Sequence, residues 1–456
     1  MKIKRLITSI FTLIVFIFVT ACSTPSAQSG ESKESESVEN QTPFTSTVLC
    51  SPKNVNRLSN SEYVSSELAM IIENANAFAT KFTPFAYHNY DKDNFVISPI
   101  SIYMALGMLA ECSNGQTKEQ ILSALDLSSA TMHSTYSLLY RLLNVEYKGE
   151  TNEGEMLTTG MLEINNSIWL DDDLSTKKDC LDSLGQNYYC NGIGVDFDGR
   201  NQETNNAIRD FIKKQSRGLI DKEYDFSEET LLTIINTLYL KDIWNDICAP
   251  LQKTTPISFT NADGTQKDIE MLKGSYVEGQ AYRTQAYSGF YTKTNNGYKL
   301  KFILPNEGYT IDQVFTQENL QELNSVEGFN AIDQEQRIKY YTRCFFPEYN
   351  TSYDEDIKGL LSEYFGITNL FILGECDFGS LMENPAYCKS LQHTVEFEVN
   401  EIGIEGAAVT LAEMAGAAEP DDYTEIFLDF VINKAFGFIL TDPSGTIVFS
   451  GVVNAL

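Results

Sequence analysis

Glu401 to Thr410, EIGIEGAAVT, lies 46 positions from the C-terminus and reads as a strand with no obvious partner. Counted two at a time, Ile404, Gly406, Ala408, Thr410, Ala412 and Met414 are small or apolar, while Glu405 and Glu413 fall on the other face. One face could therefore enter a sheet. The flanks argue against a permanent core strand, because Gly403, Gly406 and Gly416 loosen it and the AAEPDD run from Ala417 to Asp422 is an acidic, turn-rich loop. A segment able to be either loop or buried strand is a switch candidate.

The stretch resembles the hinge and reactive loop of the serpins, E-x-G-T-E-A-A-A-A-T, with Ile404 in place of Thr and Gly406 in place of Ala. Other segments resemble the same family in family order. Asn94 to Leu122, NFVISPISIYMALGMLAECSNGQTKEQIL, opens a helix at Ser98-Pro99-Ile100-Ser101, with Pro99 near its start and Ile102, Leu106 and Leu109 behind it. Locally this is an ordinary buried helix, then a Gly-containing turn and an amphipathic helix after Thr117; as a whole it resembles the serpin N-terminal signature. Asn165 to Leu170, NNSIWL, resembles a strand of the family's main sheet. Asn205 to Ile220 reads as an amphipathic helix ended by Gly218. Thr233 to Trp244, TIINTLYLKDIW, alternates between Asp-rich turns and suits a central strand. It resembles the family's N-A-x-Y-F-K-x-x-W through Asn236, Tyr239, Lys241 and Trp244. LKFILP (300–305), RCFFPEY (343–349), NKAF (433–436) and FSGVVN (449–454) match further family strands.

Helices and antiparallel strands are thus mixed, not alternating as in a parallel sheet. The expected fold is α+β: a large mixed, mostly antiparallel sheet, a smaller β-barrel, eight or nine helices and an exposed reactive loop over about 401–429. Length alone suggests two domains. The motifs instead run from Asn94 to Asn454 without a second linker, which places one domain at 60–456.

Met1 to Arg5 carries three basic residues, and Leu6 to Ala21 is an apolar run ending Val19-Thr20-Ala21-Cys22. That pattern reads as a signal peptide over 1–21 with a lipobox, Cys22 becoming the lipidated N-terminus; the alternative is standard cleavage with Cys22 an ordinary residue. The run is too short and wrongly flanked for a comfortable membrane span. Residues 22–59 read as a tether, since Ser23 to about Thr47 is Ser-, Glu-, Gln- and Thr-rich and cannot bury enough surface to order itself.

Formal charge is -30, and loss of the three basic signal residues makes the mature chain -33. Nucleic acid is an unsuitable partner, because phosphate neutralisation needs clustered Lys and Arg. The acidity serves solubility or the steering of basic proteases. Besides Cys22, eight cysteines are scattered without CxxC or a repeated spacing. Several fall in apolar runs and read as small buried hydrophobes rather than a disulfide scaffold or metal site.

Catalytic constellations are missing. The sequence holds three histidines, His88, His133 and His393, and no GxSxG, HExxH, GxGxxG or Gly-rich phosphate loop. Carboxylate pairs such as Asp171-Asp172-Asp173 are too common in so acidic a chain to be specific. No cofactor or metal is expected. His393, in SLQHTVEFEVN, sits at a strand start and reads as a hydrogen-bonded core histidine.

The resemblance implies more. His393, Asn236, Ser98 and Ser101 match the cluster beneath the opening of the family's main sheet. Trp244 and the Glu401 region correspond to the top of that sheet. Glu401, Gly403, Ile404, Glu405, Gly406, Ala407, Ala408, Val409 and Thr410 form the hinge. Sixteen residues onward from Glu401, the reactive bond falls at Ala417-Ala418, whose small side chains suit elastase-like or subtilisin-like proteases; the longer-than-usual EPDDYTEIFLD extension leaves Met414, Ala415 and Tyr423 as alternatives. The function implied is a monomeric, single-use inhibitor that traps a serine protease as its acyl-enzyme. It would be exported and held by lipid at the outer face of a bacterial membrane, or released. The alternative is a non-inhibitory serpin-fold surface or binding protein.

Overall fold

The computed structural model describes residues 46–90, 94–150, 156–244, 250–325, 331–404 and 423–456. Among these are ten α-helices: α1 (Asn60–Tyr63), α2 (Ser66–His88), α3 (Pro99–Cys112), α4 (Gly115–Ala124), α5 (Met132–Leu143), α6 (Lys178–Asn187), α7 (Asn201–Gln215), α8 (Ile311–Val314), α9 (Gln317–Ser325) and α10 (Lys358–Phe365). Two of them, α1 and α8, are single turns of four residues, so eight are of ordinary length. Local chemistry sets their ends. The Ser65 hydroxyl caps α2 by accepting from the Leu68 N–H at 3.1 Å. Pro99 opens α3, where its missing N–H costs nothing, and left-handed Gly366 (φ +71) closes α10. The helix expected over 205–220 is α7, which begins four residues earlier and stops at Gln215. Arg217 and Gly218 then turn through positive φ, a conformation that ends the helical ladder.

The main sheet runs in the order β1 (Thr47–Cys50), β5 (Cys190–Val195), β4 (Met156–Asp171), β6 (Leu232–Ile243), β17 (Gly403–Ile404), β16 (Gln392–Val399), β15 (Tyr349–Asp356), with β3 (Val145–Glu150) also on β4. Only the β4/β5 ladder is parallel. A six-stranded sheet orders β10 (Tyr282–Arg283), β11 (Tyr287–Lys293), β12 (Lys299–Pro305), β19 (Phe436–Thr441), β20 (Ile447–Val453) and β2 (Asn94–Ile97). A four-stranded sheet holds β13 (Ile332–Asp333), β14 (Ile338–Pro347) and β18 (Thr424–Val431), with β9 (Met271–Glu278) on β14, and β7 (Ile257–Thr260) pairs with β8 (Gln266–Ile269).

The α+β class and the large, mostly antiparallel sheet agree with expectation. Where a smaller barrel was expected, the described strands form separate open ladders. NNSIWL lies in β4, TIINTLYLKDIW fills β6 and FSGVVN ends β20, whereas RCFFPEY spans the end of β14 and the start of β15, broken at Glu348. Asn433 to Ala435 precede β19, with Lys434 in a single bridge to Thr260.

One correction concerns the tether. Residues 47–50, TVLC, are apolar enough to pair, and they cover the outer edge of β5. Two glycines make room. A side chain on Gly192 would lie 2.7 Å from Cys50 Sγ, and one on Gly185 2.6 Å from the Ser51 carbonyl oxygen. Arg141 on α5 fixes the next stretch, donating to the Asn56 carbonyl at 2.8 Å and to both Glu62 oxygens at 2.8 and 2.9 Å. Residues 47–59, expected to belong to the tether, are therefore fixed on the fold.

The core lies between the main sheet, α2, α3 and the six-stranded sheet. A smaller cluster sits under α7, where Ile208 and Ile212 pack on Trp169, Phe197 and Ile235.

Candidate functional site

Alternation decides which face of each strand enters the core. In β6 the even-numbered Leu240 packs into the main core, while odd Ile235 faces α7. In β16 Val395, Phe397 and Val399 are buried between half-buried glutamates. Between these strands stand only Gly403 and Ile404. Gly403 pairs with Ile243, and Ile404 pairs with Asp242 on one side and Val399 on the other. Among the described residues no ladder joins β6 directly to β16. Below Ile404, where β17 ends, nothing among the described residues pairs with the facing edges of β6 and β16.

The turn that delivers it is closely tied. Asn400 Oδ1 accepts from the N–H groups of Ile402 and Gly403 at 2.9 and 3.1 Å. Trp244 donates its indole N–H to the Asn400 carbonyl at 2.7 Å and its backbone N–H to that of Ile402 at 3.1 Å, which ties it to the turn ahead of β17. Glu401 donates its N–H to Glu348 Oε1 at 3.1 Å, and Lys253 bridges Glu348 at 2.7 Å and Glu401 at 3.7 Å. Burial and the Glu401 carboxyl hold Glu348 above the ordinary range. Gly403 is obligatory: a Cβ there would sit 2.1 Å from the Asp242 carbonyl oxygen.

Asp242 lies within the sheet beside this turn. It accepts from Thr294 Oγ1 (2.6 Å), Asn296 Nδ2 (2.7 Å), Asn296 N (3.2 Å) and Ile243 N (3.0 Å). Burial pushes its carboxyl up to about 7, outweighing those four donors, which favour the anion.

Lower in the opening lies a cavity of about 30 Å³ walled by Asn236, Thr237 and Leu238 of β6 and Thr394 to Glu396 of β16, with Ser98 and Ser101 among its lining. His393 Nε2 accepts the Ser98 backbone N–H at 3.1 Å, so the ring is neutral with its hydrogen on Nδ1. Burial drives its pKa down to about 3. Ser98 Oγ bonds Ser101 Oγ at 3.0 Å and donates to the Val448 carbonyl at 2.9 Å.

Ser98, Ser101 and His393 are therefore brought together. Asn236 lines the same cavity but bonds the other way, donating to Asn166 Oδ1 at 2.6 Å, while Asn166 donates to the Tyr188 carbonyl at 2.7 Å. The Oδ1 of Asn236 is buried without a partner among the described residues, a costly state unless another donor arrives. Asn166 and Asp242 were missed. The signal for Asn166 was its place on the even-numbered face of β4, beside buried Ile164 and Ile168.

Glu405 to Thr410, Ala417, Ala418 and Cys22 lie outside the described residues. The loop expected to reach 429 ends sooner, because β18 begins at Thr424 and pairs in parallel with β14. Tyr423, a candidate cut site, donates to Gln334 at 2.8 Å with its ring 5.2 Å from the Arg337 guanidinium. In the Asp171-Asp172-Asp173 run, Asp171 accepts the Phe197 N–H at 3.0 Å, and its carboxylate lies within 4.8 Å of those of Asp196 and Asp198.

A sequence model of the family described as serpin (serine protease inhibitor) matches residues 73–456. The putative serpin-Z5 of Oryza sativa subsp. japonica is 25% identical over 389 residues, covering 79% of this chain and 84% of the relative. Neuroserpin of Homo sapiens is 24% identical over 380 residues, covering 80% and 86%. Among solved structures, the thermophilic serpin tengpin in its native state superposes with a TM-score of 0.66 at 22% identity, covering 89% of this chain and 97% of that one. Human thyroxine-binding globulin gives 0.68 at 19%, covering 86% and 99%. The chain belongs to the serpin family.

Proposed function

We propose that this protein is an inhibitor that traps serine proteases by letting its loop be cut and inserting the freed segment into the main sheet. The carrying observation is the position of Gly403 and Ile404, laddered on both sides between β6 and β16, which have no direct ladder to each other. Continuing that register by one residue at a time puts Gly406 between Leu240 and Phe397, Ala408 between Leu238 and Val395, and Thr410 between Asn236 and His393. Small side chains then meet the core, and a hydroxyl arrives at the level of Asn236 Oδ1, which has no partner among the described residues.

The chemistry belongs to the protease. Its serine attacks the loop carbonyl, forms the acyl-enzyme and releases the new amine. Insertion then competes with hydrolysis of that ester. Roughly ten added ladder hydrogen bonds at about 1 kcal/mol each, together with buried apolar area, drive the strand home. We place the cut at Ala417-Ala418 and the specificity with elastase-like or subtilisin-like enzymes. Cys22 carries the lipid that anchors the monomer outside a bacterial membrane, with residues 23–46 as its tether.

Incubation with an elastase and a subtilisin, followed by denaturing electrophoresis and mass spectrometry, tests the proposal. A band of the combined mass, with a new N-terminus at Ala418, is expected. Clean cleavage with no stable complex would favour a non-inhibitory serpin. Labelling with a lipid precursor should mark the wild type and not Cys22→Ala.

A further inference from the structure

Where α3 ends, two cysteines stand in contact that the trapping mechanism does not use. Cys112 is the last residue of α3 and Cys180 lies in the first turn of α6. They are 68 positions apart in the chain (180 − 112), so no short spacing announced the pair. The packing of α3 against α6 brings them together. The two thiols meet side chain to side chain, and Cys180 Sγ donates to the carbonyl of Glu111, the residue before Cys112, at 3.8 Å. Both are free thiols. Two thiols in contact are more than small hydrophobes, because one two-electron oxidation can join them.

Only one of the two can be reached from solvent. Cys180 lines an open cavity of about 540 Å³ together with Glu111, Lys118, Lys177, Lys178 and Asp179, while Cys112 lies behind it with no exposure. Contact with Cys180 and burial raise the Cys112 thiol well above its ordinary range, so Cys112 does not begin an exchange. The cavity sets three lysines against two carboxylates on a chain of charge -30. Glu111 is already engaged, bonded to His133 Nε2 at 3.0 Å and accepting from the Tyr188 hydroxyl at 3.3 Å. Lys177 donates to the Gly379 carbonyl at 2.8 Å, which leaves its charge in place. The N-terminal end of α6, without a side-chain cap, adds its positive pole to the same spot. Such a site draws an anionic reagent to the accessible thiol.

We infer that Cys112 and Cys180 form a redox site that takes a small anionic disulfide from this cavity. Cys180 Sγ attacks, as its thiolate, one sulfur of that disulfide; the S–S bond breaks, one half leaves as a thiolate and takes up a proton, and the other half stays bonded to Cys180. Cys112 Sγ then attacks Cys180 Sγ, and its proton goes to the second departing thiolate. Two protein thiols and one small disulfide become one protein disulfide and two small thiols, the protein giving up two electrons and the reagent taking them. The new bond ties the end of α3 to the start of α6. An exported chain meets reagents of this class. The site is independent of whether the loop traps a protease.

The test incubates the reduced full chain with oxidised glutathione, which is anionic, and in parallel with cystamine, a cationic disulfide, following thiol loss with time and mapping the cross-linked peptides. Glutathione should join Cys112 to Cys180 before any other pair and raise the melting midpoint by about 4–8 °C, as closure of a loop of this length predicts. Cys112→Ala should stop at a glutathione adduct on Cys180, and Cys180→Ala should leave Cys112 unmodified. The double variant Lys118→Gln with Lys177→Gln should slow oxidation by glutathione about tenfold and leave the cystamine rate within twofold. The proposal falls if both cysteines stay reduced in the wild type. It falls equally if another pair closes first, the nearest competitor being Cys50, whose thiol donates to the Cys190 carbonyl at 3.6 Å. A lysine double variant oxidised by glutathione at the wild-type rate overturns the anionic class of reagent. Cys112→Ser replaces the alanine variant should that one lose the wild-type melting profile, and the wild-type peptide map decides in either case.

Discussion

Ile404 stands directly opposite Asp242 in the β17/β6 ladder, 1% exposed, against a carboxyl that burial has already pushed up to about 7. A second carboxylate at 404 would meet both desolvation and a like charge. Ile404→Glu should therefore stay out of the sheet or enter it only protonated, at a cost of several kcal/mol. Because the residue is far along the chain from Ala417, the first cut should keep its rate within about twofold while the yield of stable complex collapses by tenfold or more. Stopped-flow acylation with gel quantification measures both, and a variant that traps at wild-type stoichiometry would falsify the insertion mechanism.

Asp242 and His393 bear opposite pH signatures. Asp242 has a folded pKa of about 7 against 3.8 unfolded, so its contribution is full below about 3.8 and is lost as pH rises through 7. His393 has a folded pKa of about 3 against 6.5, so its contribution is present above 6.5 and is lost as pH falls towards 3. Between pH 4 and 6.5 the two slopes, each about 1.4 kcal/mol per unit, cancel. His393→Gln, which can still accept from the Ser98 N–H, should leave stability falling with pH in that window relative to wild type. Asp242→Asn should leave it rising. Urea midpoints at pH 4.5, 5.5 and 6.5 decide, and parallel curves for all three proteins would contradict the burial argument.

These two residues also mark where the sequence was readable and where it was not. Ile404 and His393 could be assigned to strands through alternation, which survives in a single segment, whereas the place given to Trp244 came from the family resemblance. Asp242 did not. In the linear text it is one acid among many near a strand end, and its burial depends on Thr294 and Asn296, more than fifty residues away. β1 was hidden for a related reason: four residues after a polar tether carry little periodicity, and what makes them a strand is the vacant edge of β5 and the absence of side chains at Gly185 and Gly192. Asn236 lines one cavity with Ser98 and Ser101, but its hydrogen bond runs to Asn166 rather than to the serines, a choice fixed by the β4/β6 register.

The edge strand yields its own test. Gly185→Ala would set a methyl group 2.6 Å from the Ser51 carbonyl oxygen, a backbone atom that cannot yield without moving the strand. A loss of about 1–3 kcal/mol is expected, with fast hydrogen exchange at Thr47 to Cys50 and none of the change at β20. Gly359→Ala, where nothing lies within 4 Å of the added carbon, is the control and should be neutral or slightly stabilising because it sits within α10. Equal melting temperatures for Gly185→Ala and wild type would mean that 47–50 is not held against β5.

Cleavage itself should stabilise the protein. In an ordinary fold a nick in a loop frees two ends and adds nothing, so stability stays level or falls. Here the loop is held at both ends, at Ile404 and at Thr424, and a cut frees its first part from the second anchor. Once cut between Ala412 and Ala418, it can extend the ladder that Gly403 and Ile404 begin, pair with both neighbours, and bring a hydroxyl to the Asn236 Oδ1, which has no donor among the described residues. At roughly 1 kcal/mol per new hydrogen bond the gain is on the order of 10 kcal/mol. For a chain of this size, where each kcal/mol moves the midpoint by about 1–2 °C, the melting temperature should rise by some 10–20 °C. Ile404→Glu cut at the same bond should gain far less, because its first inward residue resists burial. Calorimetry on intact and singly cut forms of both proteins makes the comparison; a wild-type midpoint that stays level after a clean cut would mean that the opening is not built for this strand.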